Sequence, residues 1–118
     1  MADAGLFVGW GAPVRGREAT GLDVFNEAIA YFGGLQQGGT IENFDTVLLE
    51  AHGGDLNGFF LLRGSEEKLA QLRVDDEFGR LITRAGLVVE RVGVVGAALG
   101  DGLQDAVATY QEAVSELA

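Results

Sequence analysis

The only histidine of the chain lies in the segment "LLEAHGGDLNG", close to a carboxylate and an amide. Glu50 precedes His52 by two residues, and Asn57 follows it by five. A carboxylate that orients an imidazole, beside an amide that donates a hydrogen bond, can abstract a proton or bind a polar substrate. Glu50 and His52 are therefore the candidate catalytic residues. The alternative hypothesis is that His52 is a turn residue, because Gly, Asp and Asn favour turns.

Three further side chains are candidates for substrate binding. Asn57 is one, and the others are Trp10 and Arg63, each near the end of an apolar run. Trp10 either stacks on a substrate or anchors a core or an interface, since aromatic side chains dominate burial energetics. Arg63 either contacts a substrate or forms a cross-strand or intersubunit ion pair.

Metal and cofactor chemistry has little support in the sequence. The chain has one histidine and no cysteine, so a metal would need several carboxylates around that histidine. The 19 glycines form neither a phosphate-binding loop nor a dinucleotide fingerprint. We therefore expect no metal and no cofactor.

Apolar runs and helical periodicity predict the order strand, helix, strand, strand, helix, strand, helix. The predicted strands are 5–10, 41–52, 57–64 and 89–99, and the predicted helices are 17–37, 65–86 and the segment after Asp101. Ser65 is a candidate helix N-cap, and a bend near 74–76 divides the second helix into two pieces. The first helix is predicted to be largely buried, on the spacing of Leu22, Phe25, Ile29 and Phe32.

The two central strands are predicted to form a hairpin in which Ala51 pairs with Gly58. In that register one face is entirely apolar or small and should lie under the helices: Val47, Leu49, Ala51, Gly58, Phe60 and Leu62. The other face is mixed: Thr46, Leu48, Glu50, His52, Asn57, Phe59, Leu61 and Arg63. The polar candidates thus converge on one half-polar sheet face.

This order of elements is the split βαβ, or ferredoxin-like, pattern. It predicts an α+β fold, βαββαβ with a C-terminal helix, in which an antiparallel four-stranded sheet carries helices on one face. A chain of 118 residues has room for one domain, which we place at 1–118.

Four segments carry a resemblance to a known group of proteins: "GLFVGW", "TVLLEAHGGDLNGFFLLRG", "LAQLRVDDEFGRLI" and "VGVVGAAL". Through them, residues 5–99 resemble the dimeric α/β-barrel superfamily, which includes antibiotic-biosynthesis monooxygenase-like and muconolactone isomerase-like domains. In such families two subunits face their sheets together, and several members bind small organic molecules between sheet and helices. The resemblance implies a homodimer through the sheet face and a small-molecule pocket. It implies no reaction.

Charge and hydropathy further limit the classes of partner that the sequence predicts. The net charge is −10 and the arginines are scattered, so neither nucleic acid nor an anionic membrane is an expected partner. A mean hydropathy of +0.19 is high for so small a domain, which favours apolar surface in a subunit interface, most simply a C2 homodimer. The N-terminus has no basic leader and no apolar run approaches about 20 residues, so a cytoplasmic location is predicted.

Two functional hypotheses follow, and the sequence does not decide between them. In the first, the protein binds a small organic molecule in a pocket lined by Trp10, Glu50, His52, Asn57 and Arg63, either without catalysis or as a cofactor-independent enzyme of oxygenase or isomerase type. In the second, it is a noncatalytic binding or dimerisation module.

Overall fold

A computed structural model describes residues 4–118, so residues 1–3 of the predicted domain lie outside the described residues. The elements are β1 (Ala4–Trp10), α1 (Glu18–Gln37), β2 (Asn43–Leu48), β3 (Gly58–Gly64), α2 (Glu66–Arg73), α3 (Asp76–Val88), β4 (Gly93–Ala98) and α4 (Asp101–Leu117). The predicted order and the predicted C-terminal helix are confirmed.

The four strands form one antiparallel sheet in the order β2-β3-β1-β4. The central strand β1 pairs Leu6 with Leu62 of β3 and with Gly96 of β4. The first strand of the chain therefore lies between the second strand of the hairpin and the last strand, as the ferredoxin-like pattern requires.

The predicted register of the hairpin is wrong by three residues. Gly58 pairs with Leu48, not with Ala51, and β2 ends at Leu48. An odd shift exchanges the two faces of β2, because side chains alternate along a strand. Val47 therefore pairs with Phe59 on the face away from the helices, and Leu48 lies on the helix side. Residues 49–57, which contain Glu50 and His52, form a loop.

One face of the sheet packs against α1, α2 and α3, and we call it the covered face. Its strand residues Leu6, Val8, Phe60 and Leu62 are at most 5% exposed. They form one core cluster with the buried helix residues Ala28, Phe32, Leu69, Leu72, Phe78 and Leu81. Burial of this apolar surface is the main force that fixes the helices on the sheet.

Capping residues explain why the second helical region is broken in two. The Ser65 hydroxyl accepts a hydrogen bond from the Lys68 N–H and begins α2. The Asp75 carboxylate accepts hydrogen bonds from the N–H groups of Glu77 and Phe78 and begins α3. Both side chains satisfy amides that have no partner within the helix. The predicted cap and the predicted bend are confirmed.

Two sequence predictions about the covered face need correction. Leu22 and Ile29 of α1 are 60% and 36% exposed, so only part of the predicted apolar stripe is buried. Ala28 and Phe32 of this helix are buried, and Phe25 is partly buried against the core cluster. In addition, β4 begins at Gly93 and not at 89, because α3 continues to Val88 and Val89 forms an isolated bridge with Pro13.

The other face of the sheet, which we call the open face, carries no packed helix. Its central apolar residues are Phe7, Val47, Phe59, Leu61 and Val95, which are partly exposed or exposed. The rings of Phe7 and Phe59 stack at 5.1 Å, and Val95 is 55% exposed. The open face is thus apolar and uncovered.

None of the helices described for residues 4–118 is long and apolar enough to span a membrane.

Candidate ligand cavity beneath the sheet

A cavity of about 280 Å³ lies between the covered face of the sheet and the helices α1 and α3. Its volume is roughly twice that of a ~150 Å³ apolar cavity that accommodates benzene in another protein. The cavity therefore has room for a molecule of one or two rings. Its lining is predominantly apolar and includes Val8, Trp10, Phe25, Phe60, Ile82 and Val88.

Aromatic rings build one wall of the cavity. Trp10 lies with its ring centroid 5.1 Å from that of Phe60 and 6.0 Å from that of Phe25. Phe32 adds an edge contact to Phe60 at 5.0 Å. Such offset and edge-to-face contacts hold the rings in fixed orientations, which gives the cavity a defined shape.

Small residues create the empty space. Gly21 and Ala28 of α1 and Ala85 of α3 line the cavity, where larger side chains would fill it. The small residues are visible in the two predicted helices, but the sequence does not indicate that they face one another. The space exists because the small residues of α1 and α3 face one cavity, which depends on tertiary packing.

One charged residue lies at the cavity. Glu18, in the first turn of α1, is the sole charged side chain among the described residues that line it. Its Oε1 accepts a hydrogen bond from the Gly16 N–H at 2.9 Å, and the side chain is exposed. The carboxylate retains further acceptor capacity for a hydroxyl or an amine.

Trp10 is the one predicted site residue that lines this cavity. Gly58 makes room for its indole, because a Cβ at Gly58 would lie 2.7 Å from Trp10 Cζ2. The two residues are direct partners in the β1–β3 pairing. Trp10 also packs with the core cluster, so it combines the predicted anchor position with a place on the cavity wall.

His52 lies in the 49–57 loop and is exposed. Its Nδ1 accepts a hydrogen bond from the Gly54 N–H at 3.2 Å, and this leaves Nε2 as the nitrogen that donates to the Leu56 carbonyl at 2.8 Å. Both ring nitrogens are therefore engaged within the loop. Gly53, with a φ of +82°, supplies a left-handed backbone conformation that favours glycine.

The remaining predicted site residues are separated from the cavity and from one another. Glu50 is exposed and makes no hydrogen bond with His52 within the described part of the chain. Asn57 joins the loop to β1 through its backbone N–H, which donates to the Trp10 carbonyl at 2.8 Å. The predicted convergence of Glu50, His52, Asn57 and Arg63 on one strand face is wrong, because it depended on the incorrect register.

Arg63 lies on β3, on the open face. Its Nη2 lies 2.8 Å from Asp45 Oδ2, and its Nη1 donates to Asn43 Oδ1 at 3.2 Å. Asn43 is its direct partner in the β2–β3 pairing. The cross-strand ion pair, one of the alternatives predicted for Arg63, is confirmed. It lies on the opposite side of the sheet from the cavity.

Tyr31, whose pKa is raised, lies outside the cavity lining. Burial, followed by the charges of Asp75 and Glu77, raises the pKa of Tyr31 to about 12. The Tyr31 hydroxyl donates to Asp75 Oδ2 at 3.4 Å, which connects α1 to the N-terminus of α3. Among residues 4–118, no group of three or more His, Cys, Asp or Glu side chains is arranged to hold a metal ion.

Comparison with known proteins identifies the fold. No protein-family model matches the chain, and no curated protein matches it. A dimeric protein of unknown function with a ferredoxin-like fold, from Bacteroides fragilis, superposes with a TM-score of 0.59 at 11% identity and covers 81% of this chain and 96% of its own. A dimeric ferredoxin-like protein of unknown function from Jannaschia sp. gives 0.61 at 15% identity, with 82% and 98% covered.

A hypothetical protein of Arabidopsis thaliana, known from its solution structure, gives a TM-score of 0.62 at 12% identity and covers 85% of this chain and 90% of its own. Likenesses at this level of identity show the fold. The chain therefore has the predicted ferredoxin-like fold, and its class is a ferredoxin-like protein with an apolar cavity between sheet and helices. The narrower resemblance to monooxygenase-like or isomerase-like domains stays a prediction.

Proposed function

We propose that this protein is a homodimer that binds a small, predominantly apolar organic molecule in the cavity beneath the covered face. The observation that carries the proposal is the cavity itself, with a wall of fixed aromatic rings and a floor of small residues. Apolar concave sites with few polar groups are the usual form of small-molecule sites.

The lining disfavours an anionic ligand. Glu18 would accept a hydrogen bond from a hydroxyl or amine of the bound molecule. An anionic ligand would meet this carboxylate and a chain of net charge −10, with no cationic side chain among the described lining residues to offset either. A phenol-like molecule fits these conditions better than a carboxylate of equal size.

The proposal is binding and not proton transfer by His52. Both nitrogens of the imidazole are used in the loop, and the loop residues Glu50, His52 and Asn57 do not line the cavity. Catalytic roles for Glu50 and His52, and substrate contacts by Asn57 and Arg63, stay predictions. The noncatalytic alternative named from the sequence is the one that the geometry favours.

The homodimer is proposed because the open face is apolar. Phe7, Phe59 and Val95 would be removed from water if a second sheet packed on them, and apolar burial is what stabilises subunit interfaces. Two of the solved structures with this fold are dimeric.

The ligand hypothesis can be tested with the single tryptophan of the chain. In a ¹H–¹⁵N correlation spectrum the indole N–H of Trp10 gives one separate peak. Titration with p-cresol should move this peak to saturation, and p-toluate, an anion of similar size, should not move it. Absence of any saturable shift with p-cresol and other neutral one- or two-ring compounds would contradict the proposal.

A matched pair of variants localises the binding. Ala85 lines the cavity, and Ala30 is exposed on α1 outside it. Ala85→Leu should raise the dissociation constant for p-cresol about tenfold by filling the space, and Ala30→Leu should leave it unchanged. Equal effects of the two substitutions would show that the probe binds elsewhere.

A further inference from the structure

Helix α4 carries an apolar stripe that the described residues 4–118 leave exposed. We call Leu103, Val107, Tyr110, Val114 and Leu117 the α4 stripe. These side chains are between 47% and 89% exposed, and no residue of α4 is buried. The protomer is correspondingly extended, with a radius of gyration of 16.0 Å where a compact chain of this length has about 13.5 Å.

The spacing of the α4 stripe indicates what kind of surface fits it. Its residues recur at intervals of four, three, four and three, which is the heptad spacing of helices that pair side by side. Ala106 and Ala113 extend the apolar face on one side of the stripe, and their small side chains leave room for a second helix to approach closely. The heptad spacing therefore favours another helix as the partner.

The charges of α4 are segregated from the stripe. At about 100° per residue, its four acidic residues Asp101, Asp105, Glu112 and Glu116 fall on the opposite side of the helix. The positions that flank the stripe in a heptad hold Gln104, Ala106, Gln111 and Ala113, which are uncharged. A second helix of the same sequence can thus approach the stripe without bringing carboxylates together.

We propose that α4 pairs along the α4 stripe with α4 of a second copy of this chain. This pairing rests on the proposed homodimer. The open faces would bring the two copies together, and the short helix pair would enlarge their interface. A C2 dimer allows such a self-complementary contact. The α4 stripe does not favour a cationic partner, because the helix positions that flank it carry no charge.

The absence of cysteine from the sequence allows a direct test. Tyr110 is the middle residue of the stripe, so it meets its own copy whether the helices run parallel or antiparallel. Under mild oxidation at low micromolar concentration, Tyr110→Cys should convert most chains to a covalent dimer. Ala108→Cys, exposed on the far side of the same helix, should remain largely uncrosslinked.

The outcomes separate the helix pair from the dimer. If neither variant crosslinks, or both do so equally, while light scattering still gives twice 12.4 kDa, the helix pairing is overturned and the homodimer stands. If the unmodified chain has the mass of one protomer at all accessible concentrations, the homodimer and the pairing are both overturned. Val107→Glu offers a second check, because it should weaken dimerisation at least tenfold, whereas Ala108→Glu should not.

Discussion

The two faces of the same four-stranded sheet differ in how far their apolar side chains are buried within the protomer. On the covered face, Phe60 is 4% exposed and contacts the rings of Trp10, Phe25, Phe32 and Phe44. On the open face, the neighbouring residue Phe59 is partly exposed and stacks on Phe7. One residue along the strand separates a side chain buried by its own chain from one that the second copy of the proposed homodimer would cover.

The largest expected effect separates these two neighbours. Phe60→Ala should lower the free energy of unfolding by about 3–5 kcal/mol, because it removes the centre of the aromatic cluster. Phe59→Ala should cost a protomer about 1–2 kcal/mol, since it loses one ring pair and partial burial. Urea unfolding at several protein concentrations measures both, and equal losses at low concentration would contradict the distinction between the faces.

A second comparison sharpens the account of the covered face. Gly58→Ala should cost about 1–3 kcal/mol and shift the Trp10 emission, because the added Cβ meets the indole and lies 2.7 Å from the Val47 carbonyl oxygen. Gly96→Ala in β4 should change stability by less than about 1 kcal/mol, since nothing lies within 4 Å of its added Cβ. Thermal unfolding and fluorescence of the two variants check this, and an unperturbed Gly58→Ala would contradict the proposed fit of Trp10.

A pH-dependent effect tests the hydrogen bond from Tyr31 of α1 to Asp75, the N-cap residue of α3. Because the pKa of Tyr31 is raised to about 12 from 10.0, the folded state holds this proton more tightly than the unfolded state does. The contribution of Tyr31 to the free energy of unfolding is complete below pH 10 and is lost as the pH rises toward 12. Urea midpoints at pH 9, 10 and 11 should fall less steeply for Tyr31→Phe than for the unmodified chain, and identical slopes would contradict the assignment.

The smallest expected effect concerns the loop that joins β2 to β3. His52→Ala should cost about 1 kcal/mol or less, because its two hydrogen bonds are exposed, and should leave p-cresol binding unchanged. The titration of the Trp10 indole peak measures the second quantity. Loss of binding in this variant would return His52 to the candidate site and weaken the assignment of the ligand to the cavity.

Local signals in the sequence predict the fold well. Ser65 and Asp75 cap their helices through amides two or three residues away, so the break between α2 and α3 could be predicted from neighbouring residues alone. The same holds for α1, which ends before Gly39, where φ is +81°. Alternating helical and strand patterns were sufficient for the ferredoxin-like order.

The candidate site was harder to predict because it depends on contacts distant in sequence. Leu49 and Ala51 continue an apolar run, which predicts a strand that reaches His52. In the structure the paired residues of β2 and β3 end with Leu48 and Gly58, and Asn57 accepts a hydrogen bond from the Leu49 N–H and donates one to the Trp10 carbonyl. The pairing with β1 cannot be deduced from the hairpin's own residues. Trp10 could be placed from the sequence because its position at the end of β1 is set locally.

The most direct test of the difference between the two faces is the mass of one open-face variant in solution. Val95 is exposed on the open face, and Val74 is 83% exposed between α2 and α3, outside both that face and α4. By light scattering, Val95→Asp should shift the protein from twice 12.4 kDa toward the mass of one protomer, and Val74→Asp should remain dimeric. A Val95→Asp protein that stays fully dimeric at low micromolar concentration would contradict the claim that a second copy covers the open face.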